Sequence, residues 1–404
     1  MRVLALGGAG AMGVAAVRTA TLLPGIDEIV IADRDLAAAQ RVKAQLATSP
    51  IPVRALRVDV EDPGELRCAL DESDLVLNTV GPYYRFGVPV LLAAIAARTH
   101  YLDLCDDWEP TLEMLALNEA AREAGVCAVI GMGASPGVSN LLAMAAARRL
   151  DRVDDVYTAW PVDVPAEAGG DEVLGIHGRP SAAAIHWMQQ ISGTIALVEG
   201  GRIMHREPVR PVTLALPGNR CGTGYTVGHP EPVTLHRTIR PTGAAACLMI
   251  ATPGMVAFLD GLRRDIDRGR LDAAGAARQL LKPGLLRGIR SAITAGEYAS
   301  HGTLPPFFAV AYGVRDGRRQ VVLARLSDGP GLGGFTDDMA GATGIPLALA
   351  MSQVIDGTAR RPGVHPPEAT IDADRFFAEL GGWLGHPGSC VEIEQDSLAE
   401  IPAH

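Results

Sequence analysis

Cysteine is scarce and carries no pairing pattern. Cys68, Cys105, Cys127, Cys221, Cys247 and Cys390 are the six in 404 residues, with no CxxC among them. They read as reduced, mostly buried thiols of a cytoplasmic protein. His and Cys nowhere stand at metal-ligand spacing, so no metal site is expected. Positive charge is not in excess: the formal net charge is -10, which argues against nucleic acid or an anionic membrane surface as partner. No apolar run reaches the roughly 18 residues that a membrane helix needs. Internal repeats, low-complexity tracts, a GxSxG elbow and a P-loop are all missing. What remains is a core-forming chain, 48% hydrophobic and 20% charged, long enough for two domains.

The first feature present is a glycine run, "VLALGGAGAMGVAA", at residues 3–16. An arginine before an apolar stretch resembles the start of a secretion signal, but Gly7, Gly8, Gly10 and Gly13 interrupt the stretch and no cleavage site follows. The run instead fits GxGxxG at Gly8, Gly10 and Gly13. It sits between a β-prone "RVLAL" and a helix-period "MGVAAVRTATLL", and "EIVIAD" then ends in Asp33. Strand, glycine turn, helix, strand and acid form the dinucleotide fingerprint. Gly8 would permit the tight turn, Gly10 the approach of a pyrophosphate, and Gly13 close packing of helix on strand. Ala11 and Met12 would offer amides at the positive helix end. Asp33, twenty residues beyond Gly13, would accept from the adenosine ribose. Its charge favours NAD, while Arg34 beside it leaves NADP open.

The alternation continues to a sixth strand, "VCAVIGMG". Asp59 at the end of the third strand is a candidate for the adenine side. Thr79, Val80 and Gly81, after the fourth, should lie beside the nicotinamide half, because ligands of open parallel sheets sit beyond the carboxyl strand ends. The fold class is α/β: an N-terminal Rossmann doubly wound parallel sheet, then an α+β region in which hairpin signals replace strict alternation. "FFAVAYGVRDGRRQVVLARL" carries the Asp316-Gly317 pair of a tight hairpin. Ser135 is placed as an N-cap for the helix in "SPGVSNLLAMAAARRL".

Three stretches carry a resemblance: "NTVGPYYRFGVPVLLAAIAARTHYLDL", "VIGMGASPGVSNLLA" and "MAGATGIPLALAMSQVIDGTARRPGVHPPEATIDADRFFAEL". They are similar to the saccharopine dehydrogenase-like oxidoreductases, the group of saccharopine reductase, carboxynorspermidine dehydrogenase and lysine 6-dehydrogenase. The likeness covers roughly residues 1–145 and 325–385. It implies a Rossmann domain (1–135), a substrate-binding and dimerisation domain (136–335), and C-terminal helices packing back on the first (336–404). A homodimer is implied as well. Saccharopine reductase has Asp in place of Ser135 and Ser139 and His in place of Asn140, so saccharopine itself is not the expected substrate.

The chemistry that follows is NAD(P)-dependent oxidation of a C–N bond in an amino acid or polyamine through an imine, lysine 6-dehydrogenase being the nearest example. Such a reaction needs a group that takes the ammonium proton and a cation or amides for a substrate carboxylate. Asp106, in the acid-dense "YLDLCDDWEP" with Asp103 and Asp107, is the candidate acid–base. Tyr84 and Arg85 of "GPYYRFG" are candidates for the substrate carboxylate and pocket wall. His229, in a Gly-His-Pro-Glu loop, is a further catalytic candidate. A biosynthetic imine or opine-type reductase using NADPH is the alternative. A non-catalytic NAD(P)-binding redox sensor is a second one.

Overall fold

Short apolar runs that must be covered on both faces favour a parallel sheet between helices. The first third of the chain follows that rule. It runs β1 (Arg2–Leu6), α1 (Ala11–Ala20), β2 (Glu28–Asp33), α2 (Leu36–Gln45), β3 (Val53–Arg57), α3 (Pro63–Asp71), β4 (Leu75–Asn78), α4 (Tyr83–Ala97), β5 (His100–Asp103), α5 (Trp108–Ala116), α6 (Asn118–Ala124) and β6 (Cys127–Val129). After α7 (Val138–Ala147) come β7 (Arg152–Pro161), β8 (Gly175–Ile176), β9 (Arg179–Pro180), α8 (Ala182–Gln190), β10 (Ile195–Glu199), β11 (Arg202–Arg206), β12 (Pro211–Leu216) and β13 (Arg220–Thr226). α9 (Glu231–Thr238), β14 (Ala245–Ile250), α10 (Pro253–Asp267), α11 (Ala273–Leu281), α12 (Leu285–Thr294), β15 (Phe308–Arg315) and β16 (Arg318–Leu326) follow. The last elements are α13 (Met339–Ile355), β17 (Gly363–His365), α14 (Pro367–Thr370), α15 (Ala373–Trp383) and β18 (Val391–Ser397). The structure, a computed structural model, describes residues 1–162, 175–176, 179–298, 302–327, 338–386 and 388–398.

The chain divides into two units, Met1–Leu141 with Gly329–Cys390, and Leu142–Asp328 with Val391–His404. In the first, a seven-stranded sheet has the order β17-β6-β5-β4-β1-β2-β3, and every neighbouring pair is parallel. From β6 to β3 this is the doubly wound order, with the reversal between β1 and β4. Six strands were expected from the sequence. The seventh is β17, whose three residues pair with β6 from far along the chain and are too few to leave a periodic signal.

α13 explains why the closing segment is rich in small residues. Gly344 faces α1 so closely that a Cβ there would collide with the Met12 carbonyl oxygen and lie 2.7 Å from the Ala15 Cβ. The helix carrying the first glycine turn is therefore held against a helix more than 300 residues later.

The second unit is built on a nine-stranded sheet, β11-β10-β14-β7-β15-β16-β18, with the β12–β13 hairpin joined to it through β14. Only the β14–β7 pair is parallel. Asp316 and Gly317, at φ of 50° and 73°, close β15 on β16 in a two-residue turn, as their sequence foretells. Val391–Ser397 is a strand paired with β16, where helices packing on the first domain were expected for 336–404.

Three local expectations need correction. α7 starts at Val138, so Ser135 lies in the preceding loop and is not its N-cap. α4 starts at Tyr83, earlier than the "VPVLLAAIAART" run suggests, so Tyr84 and Arg85 stand on its first turn. Pro230 is the N-cap of α9, which begins at Glu231, so half of the Gly-His-Pro-Glu stretch opens a helix. Among the described residues no helix is long and apolar enough to cross a membrane.

Candidate dinucleotide and substrate site

The glycine turn links β1 to α1 with almost no room to spare. Gly7, at φ 71°, occupies the left-handed region that favours glycine. The tight turn thus falls on Gly7, a residue the GxGxxG pattern does not contain, and not on Gly8. A Cβ on Gly8 would lie 2.8 Å from the Ala5 carbonyl oxygen, and one on Gly13 would strike the Gly7 carbonyl and come within 2.8 Å of the Gly8 Cα. Gly10 differs: its Cβ would meet only the Gly7 carbonyl, at 3.3 Å, and the residue is exposed. The protein constrains Gly10 less than its three neighbours, and a ligand approaching the backbone would need it bare.

Gly10 is the N-cap of α1 and no side chain caps that helix. The amides of Ala11, Met12 and Gly13 lie in its first turn, where no intrahelical acceptor exists and the helix dipole is positive. Thr79, just past β4, donates its amide and its hydroxyl to the Leu6 carbonyl, both at 2.9 Å. This fixes the loop holding Val80 and Gly81 beside the glycine turn. Asp33 ends β2, and its carboxylate accepts from the Asp35 amide at 3.0 Å, with exposed Arg34 between them. Asp59 follows β3; its amide donates to Glu65, at 2.9 Å, and its carboxylate caps the Glu61 amide. The residues expected around a dinucleotide thus share the carboxyl edge of one sheet, from β3 through β2 and β1 to β4. Their bare, uncapped cradle fits a pyrophosphate.

Beyond β4 the same edge becomes polar and buried. Asp103 ends β5 fully enclosed. Its Oδ1 accepts from the amides of Gly131, at 2.7 Å, and Cys105, at 3.1 Å, while Oδ2 accepts from the Tyr101 hydroxyl at 2.7 Å. Burial pushes this carboxyl up to about 6; the three donors oppose the rise, and neighbouring Asp106 adds to it. Asn78 donates to the Tyr101 oxygen at 3.0 Å, and Tyr83 donates to the Asn78 carbonyl at 2.9 Å while receiving the Leu104 amide. One network therefore ties together the ends of β4, β5 and β6 and the start of α4. Burial also raises the Cys105 thiol well above its usual range, which keeps it protonated and removes it as a nucleophile.

The other expected side chains are distributed around that network. Asp106 is half-buried and Asp107 buried at the N-cap of α5. Tyr84 is 58% exposed. Arg85 is exposed, paired with Glu61, and its guanidinium lies 4.9 Å from the Phe86 ring centroid.

Sequence reasoning passed over Gly7, Asn78, Tyr101 and Glu368. Glu368, on α14, is 4% exposed and takes a 3.0 Å hydrogen bond from buried Asn140 on α7. The "HPPE" run that carries it offered a signal only as part of the closing segment. His229 lies in the second unit, 5% exposed, with its Nδ1 3.5 Å from Glu231 Oε2. The Cys247 Sγ, from β14, is 3.7 Å from Glu231 Oε1.

A bare glycine turn at the switch point of a doubly wound sheet is where such folds hold dinucleotides. Residues 3–129 match the family model described as saccharopine dehydrogenase NADP binding domain. Carboxynorspermidine synthase of Vibrio cholerae is 27% identical over 200 residues, 45% of this chain and 45% of that protein. The match thus spans under half that relative's length. Carboxyaminopropylagmatine dehydrogenase of Synechocystis is 22% identical over 401 residues, 93% of this chain and 94% of that protein. The apo structure of saccharopine dehydrogenase (L-Glu forming) from Saccharomyces cerevisiae superposes with a TM-score of 0.60 at 17% identity, over 98% of this chain and 100% of that one. Residues 3–129 thus resemble that family's nucleotide-binding domain, and the whole chain shares the fold of the yeast enzyme.

Proposed function

We propose that the protein is an NAD(P)-dependent oxidoreductase acting on a C–N bond of an amino acid or polyamine. The single observation that carries the reading is the shared sheet edge, where an uncapped glycine turn at β1 lies one strand, β4, from a carboxylate-rich end of β5. The dinucleotide would supply or accept the hydride at the carbon bearing nitrogen. Ala11, Met12 and Gly13 would hold its pyrophosphate by their amides, and Asp33 its ribose, with Thr79, Val80 and Gly81 bordering the nicotinamide. Asp33 favours NAD; Arg34 and the NADP description of the matching family favour NADP.

An amine gives up hydride only when its nitrogen is neutral, so a proton must leave first. Asp106 takes that role: it is half-buried and near enough to the Asp103 carboxyl for its charge to raise that group. Asp103 positions the strand ends through its three donors. Tyr84 and Arg85 would bind the carboxylate of an amino-acid substrate, Arg85 exchanging Glu61 for it. His229 stays a catalytic candidate within the second unit, grouped with Glu231 and Cys247. The reverse reaction, reduction of an imine formed from a carbonyl compound and an amine, uses the same groups. The names of the two polyamine-related relatives favour this as the second reading. A homodimer is part of the proposal, by family likeness.

The test is an absorbance screen pairing each nicotinamide cofactor with lysine, ornithine, diamines and carboxyalkyl polyamines, in both directions. Turnover of a primary amine supports the first reading; reduction only of an amine–carbonyl mixture supports the second. Tight cofactor binding without turnover of any pair would contradict both.

A further inference from the structure

We propose that His229, Glu231 and Cys247 form a binding site for one divalent transition-metal ion of the zinc class, inside the second unit. Each offers one ligand atom, and the three atoms lie within 4.8 Å of one another. They come from separate pieces of chain: the turn after β13, the first residue of α9, and the middle of β14. All three are enclosed, at 5%, 0% and 1% exposure.

Cys247 donates its Sγ–H to Glu231 Oε1 at 3.7 Å, and His229 Nδ1 stands 3.5 Å from Glu231 Oε2. Good N–H···O bonds span about 2.7–3.2 Å, and the His229–Glu231 separation of 3.5 Å exceeds that. Ligands about 2.0–2.3 Å from a tetrahedral zinc stand roughly 3.3–3.7 Å apart. The 3.5 Å and 3.7 Å spacings, made to different oxygens of Glu231, are close to that edge length, and one ligand atom from each residue keeps the set within 4.8 Å. The donor set decides the class of ion. A nitrogen, an oxygen and a sulfur suit zinc and its first-row neighbours, while calcium and magnesium take oxygen only. A divalent ion would also offset the cost of enclosing a carboxylate. On binding, the Cys247 Sγ–H proton leaves to solvent and the thiolate becomes the ligand.

The backbone is arranged to hold His229 in place. Its amide donates to the Val227 carbonyl at 3.0 Å, the Val227 amide to the Cys247 carbonyl at 3.1 Å, and the Gly228 amide to the Gln190 carbonyl at 2.9 Å. A Cβ on Gly228 would lie 2.7 Å from Ile195 Cγ2 and 2.8 Å from the Gln190 oxygen, so the turn reaches the cluster only because this residue is glycine. The Trp160 ring covers the imidazole, with centroids 5.3 Å apart. Three protein ligands leave a fourth position for water or another small donor.

Cobalt(II) titration of the chelator-treated full chain tests this without any turnover, so its failure is distinct from failure of the dehydrogenase reading. The expected result is one equivalent bound, with a near-ultraviolet thiolate-to-cobalt band, competed away by zinc. Cys247→Ser should abolish the band, and His229→Ala should weaken binding by at least ~10-fold. Cobalt should also protect Cys247 from alkylation at a denaturant concentration that opens the metal-free protein, read by peptide mass spectrometry. Should a variant not fold, this wild-type protection carries the test. A band that persists in Cys247→Ser, no bound metal, or unprotected Cys247 would overturn the proposal.

Discussion

The two units place their chemistry by opposite means. In the first, the dinucleotide edge is made of backbone. Gly7 supplies a left-handed φ, Gly8 and Gly13 allow close packing, and no side chain caps the first amides of α1. In the second, the buried His229–Glu231–Cys247 group is made of side chains, drawn from β14, the head of α9 and the turn before it. A backbone site is written in consecutive residues because its geometry is local. A side-chain site depends on which strands become neighbours, and β14 reaches its place beside β7 and β13 only through the tertiary fold.

That difference governs what could be read in advance. β1, the glycine turn, α1, β2 and Asp33 were legible because each element is adjacent to the next and has its own periodicity. The Asp316-Gly317 hairpin was legible for the same reason. β17, with three residues, and β18, beside the C-terminal helices, were not: their partners lie in distant segments. Asp103 was noticed as one acid in a cluster, but its enclosure by Gly131, Cys105 and Tyr101 follows from the meeting of β5 with β6. Gly344 was visible only as a small residue in a familiar closing segment. Its contact with α1 supplies the physical cause.

The sharpest way to separate chemistry from cofactor binding in the first unit is Asp106→Asn. Loss of a general base should lower kcat by at least ~100-fold, and NAD(P)H affinity should stay unchanged. Equal turnover would remove Asp106 from the mechanism.

A smaller effect should come from the distant support of the glycine helix. Gly344→Val drives a branched side chain into Met12 and Ala15, and overpacking of this kind costs about 1–3 kcal/mol or more. Denaturant unfolding should show the loss, with dinucleotide affinity falling alongside it. A variant as stable as the wild type would mean that α13 does not brace α1.

Asp103 predicts a pH dependence of similar size. Its carboxyl is raised from 3.8 to about 6 in the folded protein, so the native state holds the proton more tightly than the unfolded chain. The stabilisation it gives is complete below pH 4 and is lost as the pH rises through 6. The difference amounts to something on the order of 3 kcal/mol. Asp103→Asn cannot lose a proton there, so the destabilisation it causes relative to wild type should shrink between pH 4 and pH 7. A constant difference across that range would contradict the burial argument.

The smallest structural effect belongs to Arg85→Ala. Its ion pair with Glu61 is about half exposed on both sides, and such pairs contribute roughly 0–1 kcal/mol. Stability should hardly move, while KM for a carboxylate-bearing substrate should rise. A change in stability without a change in KM would make Arg85 a structural residue.

The central claim is that the glycine turn is a dinucleotide cradle, and Gly10 tests it most directly, because a Cβ there would press on the Gly7 carbonyl alone, at 3.3 Å. NADH and NADPH should be titrated against wild type and Gly10→Val, following nicotinamide fluorescence, with thermal unfolding measured on both. The account predicts binding by the wild type and a loss of at least ~100-fold in the variant, from removal of the close backbone approach to the pyrophosphate, with little change in Tm. Equal affinity in the two proteins, or no binding by either, would contradict it.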